Sequence, residues 1–363
     1  SESLALAFQN SVRRRSLARL GRVGIGLSGG LDSRVILAAA TGGGEVVAFS
    51  LFDEKNEEWR IASRLADAAG LSLKTIRRDY DYYGRTAVEG VLLYGGMGCL
   101  MNNHYLGARS AFREMGLENI LTGCYCDYVF KALGLNTDEH PVTRQESLSS
   151  FRLSFYRPEF PLEAALEDQV RARRVERYPY PEGAVLDDTA WWDAERRRVF
   201  PLAYEGDLAQ RVLPQRTMPW FVPIADNDLL RVYCCLPPRL KLNAHVFRRM
   251  VLRVCPPEFS RIPDNNTGAP IDAGKFRLMA NRYRSALMNR LRSRIKPGIA
   301  TRGSWPNWEY YIQHSELVLE LWRSHARETT GLLAGLVGEN PVDLPMASFQ
   351  GRRTELFLRL LTL

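Results

Sequence analysis

The chain has 363 residues, 45% of them hydrophobic and 25% charged, with a formal net charge of +8. This composition excludes a disordered or fibrous chain and supplies a buried core for one large or two modest domains. No apolar stretch is long enough to cross a bilayer and no secretory signal is visible. Six unevenly spaced cysteines do not make a disulfide framework, so a cytoplasmic protein without membrane partners is expected.

Leu4, Phe8 and Val12 recur at helical spacing, with Leu17 and Leu20 extending the apolar face. The run Val23-Gly24-Ile25-Gly26-Leu27 reads as a first strand, and the Ala-rich stretch from Arg34 to Ala40 as a helix. Val46 to Leu51 reads as a buried parallel strand. Trp59, Ala62, Leu65, Ala66 and Ala69 give Glu57 to Ala69 a helical period that closes at Gly70. Leu71 to Ile76 alternates like a strand. Helices are expected over Ala87 to Leu93 and Tyr105 to Met115, and a short strand over Asn119 to Thr122. Strands alternating with helices predict an α/β fold with a doubly wound parallel sheet, binding its ligand at the carboxyl ends of the strands. From about Thr137 the pattern becomes helical and irregular, and Tyr178-Pro179-Tyr180-Pro181-Glu182-Gly183 reads as an exposed connection. The expected organisation is an α/β core over 1–136, a helical or irregular insertion over 137–215 and a largely helical C-terminal part over 216–363.

Between the first strand and its helix lies Ser28-Gly29-Gly30-Leu31-Asp32-Ser33. A turn with adjacent glycines brings free backbone N–H groups and a helix N-terminus to one spot, which suits a phosphate. Ser28 and Ser33 add hydroxyls, and Asp32 suits a magnesium ion. Without a Gly-Lys-Ser/Thr ending the turn is not a Walker loop. It resembles the pyrophosphate (PP) loop of the N-type ATP pyrophosphatases, the adenine nucleotide alpha hydrolase-like fold.

The order of elements around this turn resembles the synthetase domain of the asparagine synthetase family. The family's Gly-x-Gly-x-Asp-Glu-x-Phe signature has its counterpart in Gly123-Cys124-Tyr125-Cys126-Asp127-Tyr128-Val129-Phe130, and its Val-Pro-Phe-Leu-Asp stretch in Val222-Pro223-Ile224-Ala225-Asp226. Leu236 to Lys241 and Phe247 to Met250 continue the likeness. The resemblance implies an ATP- and magnesium-dependent ligase. It would activate a small-molecule or peptide carboxylate as an acyl-adenylate, release pyrophosphate and form an amide with an amine. Carried over by position, Ser28, Gly29, Gly30 and Ser33, with Leu27 and Gly123 beside them, would hold the nucleotide. Asp32 and Asp127 would hold the metal, Phe49 and Ser50 would meet adenine, and Asp127, Tyr128 and Arg261 are the catalytic candidates.

Three departures from the family pattern are visible. The signature Asp-Glu pair is Asp127-Tyr128, the glutamate before the Val-Pro stretch falls at Pro219, and the late lysine falls near Pro263. Arg261, Lys275 or Arg216 are possible electrostatic substitutes. The family's glutaminase, with its cysteine as first residue, does not precede Ser1. Either the sequence is a fragment, or the amine is ammonia, a partner's product or an amine of the substrate itself, as in relatives that close β-lactam rings or lasso peptides. A tRNA-modifying PP-loop enzyme and a non-catalytic nucleotide-binding partner are the other readings. The arginine clusters favour the former, but no RNA-recognition module accompanies them.

Cys124, Cys126, Cys234 and Cys235 read as buried thiols rather than metal ligands, because no His pair accompanies them. His104 reads as a core or capping histidine before a nucleotide contact. Tyr125 and Tyr128 read equally as packing or as acceptor-pocket groups. Trp191-Trp192 and Trp220-Phe221 read as core, and the segment from Pro263 to Gly268 as a loop near the site.

Overall fold

The computed structural model describes residues 1–96, 98–131, 164–177, 216–241, 244–274, 305–334, 341–351 and 353–362, with isolated positions between them. Most of the expected insertion lies outside the described residues, including Tyr178 to Gly183 and Trp191, and so does Lys275. Within the insertion a helix spans Ala164–Arg177.

In chain order the core elements are α1 Glu2–Arg15, β1 Val23–Gly26, α2 Leu31–Ala40, β2 Val46–Phe52, α3 Glu57–Ala68, β3 Lys74–Arg77, α4 Ala87–Tyr94, α5 Arg109–Glu114, β4 Asn119–Leu121 and α6 Cys126–Phe130. The Ala164–Arg177 helix is α7. After it come β5 Trp220–Phe221, α8 Asn227–Cys235, α9 Pro238–Lys241, α10 His245–Val254, α11 Pro257–Arg261, α12 Trp308–His314, α13 Glu316–Leu333 and α14 Arg353–Leu360.

The five strands form one parallel sheet in the order β3-β2-β1-β4-β5, the doubly wound arrangement expected. The chain leaves β1 towards β2 and β3, then returns to the other side for β4 and β5. The carboxyl ends of β1 and β4 therefore flank the switch point, where such sheets open a crevice.

Side chains alternate across the strands and fill two cores. Ile25, Ala48 and Leu121 face α1, α2 and the helix His245–Val254, while Phe49, Leu51 and Ile120 face the side covered by α5 and the C-terminal helices. Tyr311, Val318, Trp322, Phe349 and Phe357 extend that second core. The first is fastened at its margin by a clasp. Arg14 and Arg15, in the last turn of α1, each reach Asp226 at 2.8 Å, and the Ser11 hydroxyl donates to the Pro223 carbonyl at 2.8 Å. Burial pushes the Asp226 carboxyl up, but its bonds from Arg15, the Asp228 amide and Arg14 outweigh this and hold it below the usual range.

Four local expectations are corrected. The helix expected from Tyr105 begins only at Arg109. The Tyr82 hydroxyl takes the His104 carbonyl at 2.8 Å and its ring lies against Gly107, so residues 106–108 form a tight 3₁₀ turn. The third strand starts at Lys74 rather than Leu71, because the Leu71 amide closes the end of α3 on the Ala66 carbonyl. Trp220-Phe221, expected as core packing, is a half-buried edge strand. Pro219, just outside it, accepts a bond from the Ile120 amide through its carbonyl, and at the sheet edge its missing N–H leaves no ladder bond unmade. Cys234 and Cys235 are exposed at the end of α8, whereas Cys126 is buried and Cys124 partly so. No helix among the described residues is long and apolar enough to cross a membrane.

Candidate functional site

The Ser-Gly-Gly turn stands at the switch point. After β1 the Leu27 amide donates to the Phe49 carbonyl at 2.7 Å, and the chain then leaves the sheet. The Ser33 hydroxyl ties the turn to itself, accepting from the Ser28 amide at 3.1 Å and donating to the Ser28 carbonyl at 3.0 Å. Gly30 caps α2 without a side-chain bond, and a Cβ built on it would meet only the Ser28 hydroxyl. No other side chain crowds Gly30, and the first amides of α2 lack intrahelical acceptors, an arrangement that suits an anion.

One wall of the turn comes from far along the chain. The Asn265 amide donates to the Gly29 carbonyl at 2.9 Å, and its side chain donates to Glu58 at 3.1 Å. A Cβ on Gly29 would lie 2.7 Å from the Asn265 Cβ, so only glycine admits this close approach. The segment carrying Asn265 is anchored by Arg34, the residue after Ser33. Fully buried, Arg34 donates to the carbonyls of Phe259, Ile262 and Pro263 at 2.9, 2.6 and 2.7 Å. Burial pushes its guanidinium down, and nearby Asp264 opposes the shift. Asp264 is itself buried and accepts from the Thr267 amide and hydroxyl. The loop expected near the site therefore forms part of the turn's wall.

The second loop follows β4. Gly123 sits so close to α2 that a Cβ there would lie 2.6 Å from the Asp32 Cβ. Tyr125 adopts the left-handed conformation, at φ 71°, which is costly for a side-chain-bearing residue and aims the next helix at the crevice. That helix, α6, carries Asp127 and ends against Lys131. The Lys131 ammonium lies 2.6 Å from Asp32 Oδ1 and 2.7 Å from Asp127 Oδ1, over the Phe247 ring at 4.9 Å. Asp32 and Asp127 thus meet around one cation, and their nearest oxygens are separated by no more than about twice an ion-pair distance. Burial chiefly pushes the Asp32 carboxyl up to about 6; Lys131 opposes this, while Asp127 and Asp264 reinforce it. Burial lowers the Lys131 ammonium, but the two carboxylates more than compensate and keep it charged.

The remaining candidates are placed as follows. Phe49 and Ser50 lie within β2, not after it. Phe49 is fully buried, with its ring against Phe112 at 5.0 Å, and Ser50 pairs with Thr75 just where β1 has turned away. The Tyr128 side chain lies outside the described residues, and the Tyr125 ring packs against the first core. Arg261 and Arg216 are exposed. The cation that meets the carboxylate pair is Lys131, which the sequence reading passed over, although its place four residues after Asp127 on a helix was a usable signal.

At the other end of the same rim, past β2 and β3, lies a sealed polar chain. Arg78 Nε donates to Asp53 Oδ1 at 2.8 Å with both side chains almost fully buried, and the Tyr311 hydroxyl donates to the same oxygen at 2.9 Å. Arg78 also donates to the Tyr83 hydroxyl at 3.0 Å, which leaves that hydroxyl's proton for Nδ1 of His104 at 2.5 Å. Burial and, secondarily, Arg78 push the His104 imidazole down to about 3, so it accepts in its neutral form. His104 is half-buried and stacks on the exposed Trp305 ring at 5.0 Å, so it closes the outer end of this chain and is not a core residue.

A parallel sheet bearing this turn at its switch point defines a nucleotide-binding α/β domain of the PP-loop kind. The chain matches the asparagine synthase family over residues 3–333 and belongs to that family of ATP-dependent amide-forming synthetases. No curated protein matches it.

Magnesium is usually bound by one or two carboxylates completed by substrate phosphates and water. Asp32 and Asp127 fit that donor set beside the open turn. Among the described residues no group of three or more His, Cys, Asp or Glu is placed to hold a metal alone.

Proposed function

We propose that the protein activates a carboxylate with ATP as an acyl-adenylate, releases pyrophosphate, and passes the acyl group to an amine to form an amide. The observation that carries this reading is the meeting of Asp32 and Asp127, from two separate loops, around Lys131 beside the Ser-Gly-Gly turn. The turn's amides and the Ser28 and Ser33 hydroxyls would receive the departing pyrophosphate, where fixed donors oppose developing charge. Magnesium held by Asp32 and Asp127 would supply charge neutralisation between the α and β phosphates. Arg34 and Asn265 hold the far wall of the turn and keep its amides aimed inward. The carboxylate is a small molecule or peptide, and the amine is ammonia, a glutaminase product or a group on the substrate itself.

ATP–pyrophosphate exchange measured across a panel of amino acids, dicarboxylates and peptides tests this. Exchange that requires both a carboxylate and magnesium, and disappears in Asp32→Ala, supports the reading. Tight ATP binding with no exchange for any carboxylate would replace it with a non-catalytic nucleotide-binding role, a reading also favoured by Pro219 and the Pro263 segment standing where the family has acid–base and cationic groups.

A further inference from the structure

The carboxylate pair of the candidate site already holds a cation of its own. Lys131 lies within 2.6–2.8 Å of both Asp32 oxygens and Asp127 Oδ1. It projects from the end of the helix that carries Asp127, and its side chain is only 17% exposed. Phe247, from a different helix, closes over the ammonium at 4.9 Å. An ordinary surface pair would leave a lysine free to exchange with solvent ions. This one is bracketed by two carboxylates and an aromatic face, so a metal ion entering between Asp32 and Asp127 must displace it.

We infer that Lys131 is a tethered counter-ion that competes with free divalent cations for the Asp32–Asp127 pair and yields the place at far lower metal concentration when the metal arrives with the phosphates of a nucleotide. The inference rests on the proposed nucleotide reading for its second half alone. Competition between ammonium and metal is a property of the three side chains. A hard divalent ion gains little by exchanging its waters for two carboxylates already neutralised. Added phosphate oxygens change that balance twice, by completing the metal's ligand shell and by giving the released ammonium a new anionic partner. Metal and nucleotide would then bind together, and below saturating magnesium the empty protein would carry little of it. In this role Lys131 positions charge; it is not assigned to the bond-making step.

Two measurements without nucleotide decide the first half. In calorimetric titration, Lys131→Met should bind magnesium more tightly than the wild type by roughly 10- to 100-fold, the range over which neighbours of metal ligands tune affinity. Equal affinities overturn the inference. Should Lys131→Met fail to fold, amine labelling of the wild-type chain read by mass spectrometry gives the same answer. Lys131 should label slowly in the free protein and several-fold faster at saturating magnesium, and a rate indifferent to magnesium overturns the inference. Repeating the labelling with a non-hydrolysable ATP analogue should shift the release of Lys131 to lower magnesium concentration. An analogue that binds without shifting it overturns the second half. An analogue that fails to bind at all removes the nucleotide reading, and the second half with it, while leaving the magnesium competition decided by the first two measurements.

Discussion

Two acid–base pairs stand on the same carboxyl rim of the sheet, and they are built for opposite ends. At β2 and β3, Asp53 and Arg78 are 3% and 1% exposed, and the Tyr83 and Tyr311 hydroxyls add to their hydrogen bonding. At β1 and β4, Asp127 is 50% exposed, and the cation shared with Asp32 is a lysine rather than an arginine. Arginine offers a planar fork suited to a permanent, fully bonded pair. Lysine is a mobile point charge that gives up its partners more readily. One pair holds strands together from within, and the other keeps charge available beside an open turn. Proximity of opposite charges is therefore a poor guide to function in this molecule, whereas solvent access and the type of cation separate the two cases.

The sharpest way to break this contrast is to disarm the sealed pair. Asp53→Asn leaves Arg78 charged and uncompensated in the interior, and should lower unfolding stability by about 3–5 kcal/mol in urea titrations. Nucleotide affinity of the folded fraction should be unchanged; a loss of affinity at normal stability would merge the two regions. Asp32→Ala should show the reverse pattern, a fall of roughly 10²–10³-fold in pyrophosphate exchange at nearly native melting temperature. Arg34→Lys probes the wall between these extremes. A lysine cannot reproduce the bonds from both guanidinium Nη atoms to three carbonyls, and the cost should be about 1–3 kcal/mol of stability with weakened nucleotide binding. Gly123→Ala puts a methyl against the Asp32 Cβ and should cost about 1–3 kcal/mol as well, while moving Asp127 and Lys131 together away from Asp32.

Per pH unit, the smallest effect is the pH dependence of the Asp53–Arg78 chain. The His104 imidazole, held near 3 in the fold against about 6.5 in the unfolded chain, takes up a proton on unfolding throughout that interval. Its contribution is complete above pH 6.5 and is lost as pH falls towards 3, at up to about 1.4 kcal/mol per pH unit. His104→Gln should flatten that limb of the stability curve; an unaltered slope would show that other groups set it.

What could be read from the sequence follows the range of each signal. The Ser-Gly-Gly turn and the strands on either side of it are local patterns, and the position of the site at the sheet's switch point follows from them. Asp127 was legible through its family signature, and Lys131 could have been found by helical spacing from it. Arg34 offered no such signal. Its partners are carbonyls more than 220 residues away, and a carbonyl leaves no mark in a sequence. Asp53 and Arg78 lie 25 residues apart, each just past the end of a different strand, so nothing marks them as a pair before the sheet is assembled. The two residues of β5 are too few to show a period, and only its ladder to β4 defines it.

The clasp of α1 on Asp226 bears on how the protein is made. Helix α1 is synthesised well before the groups that fasten it, Pro223 and Asp226, which arrive more than 200 residues later. The edge strand at Trp220–Phe221 is equally late. At translation speeds of roughly 5–20 residues per second, the apolar face of that helix waits some ten seconds or more for its cover. During this interval the nascent chain presents Leu4, Phe8 and Val12 to whatever surrounds the ribosome, and a chaperone that shields α1 should raise the yield of native protein more than one acting after release.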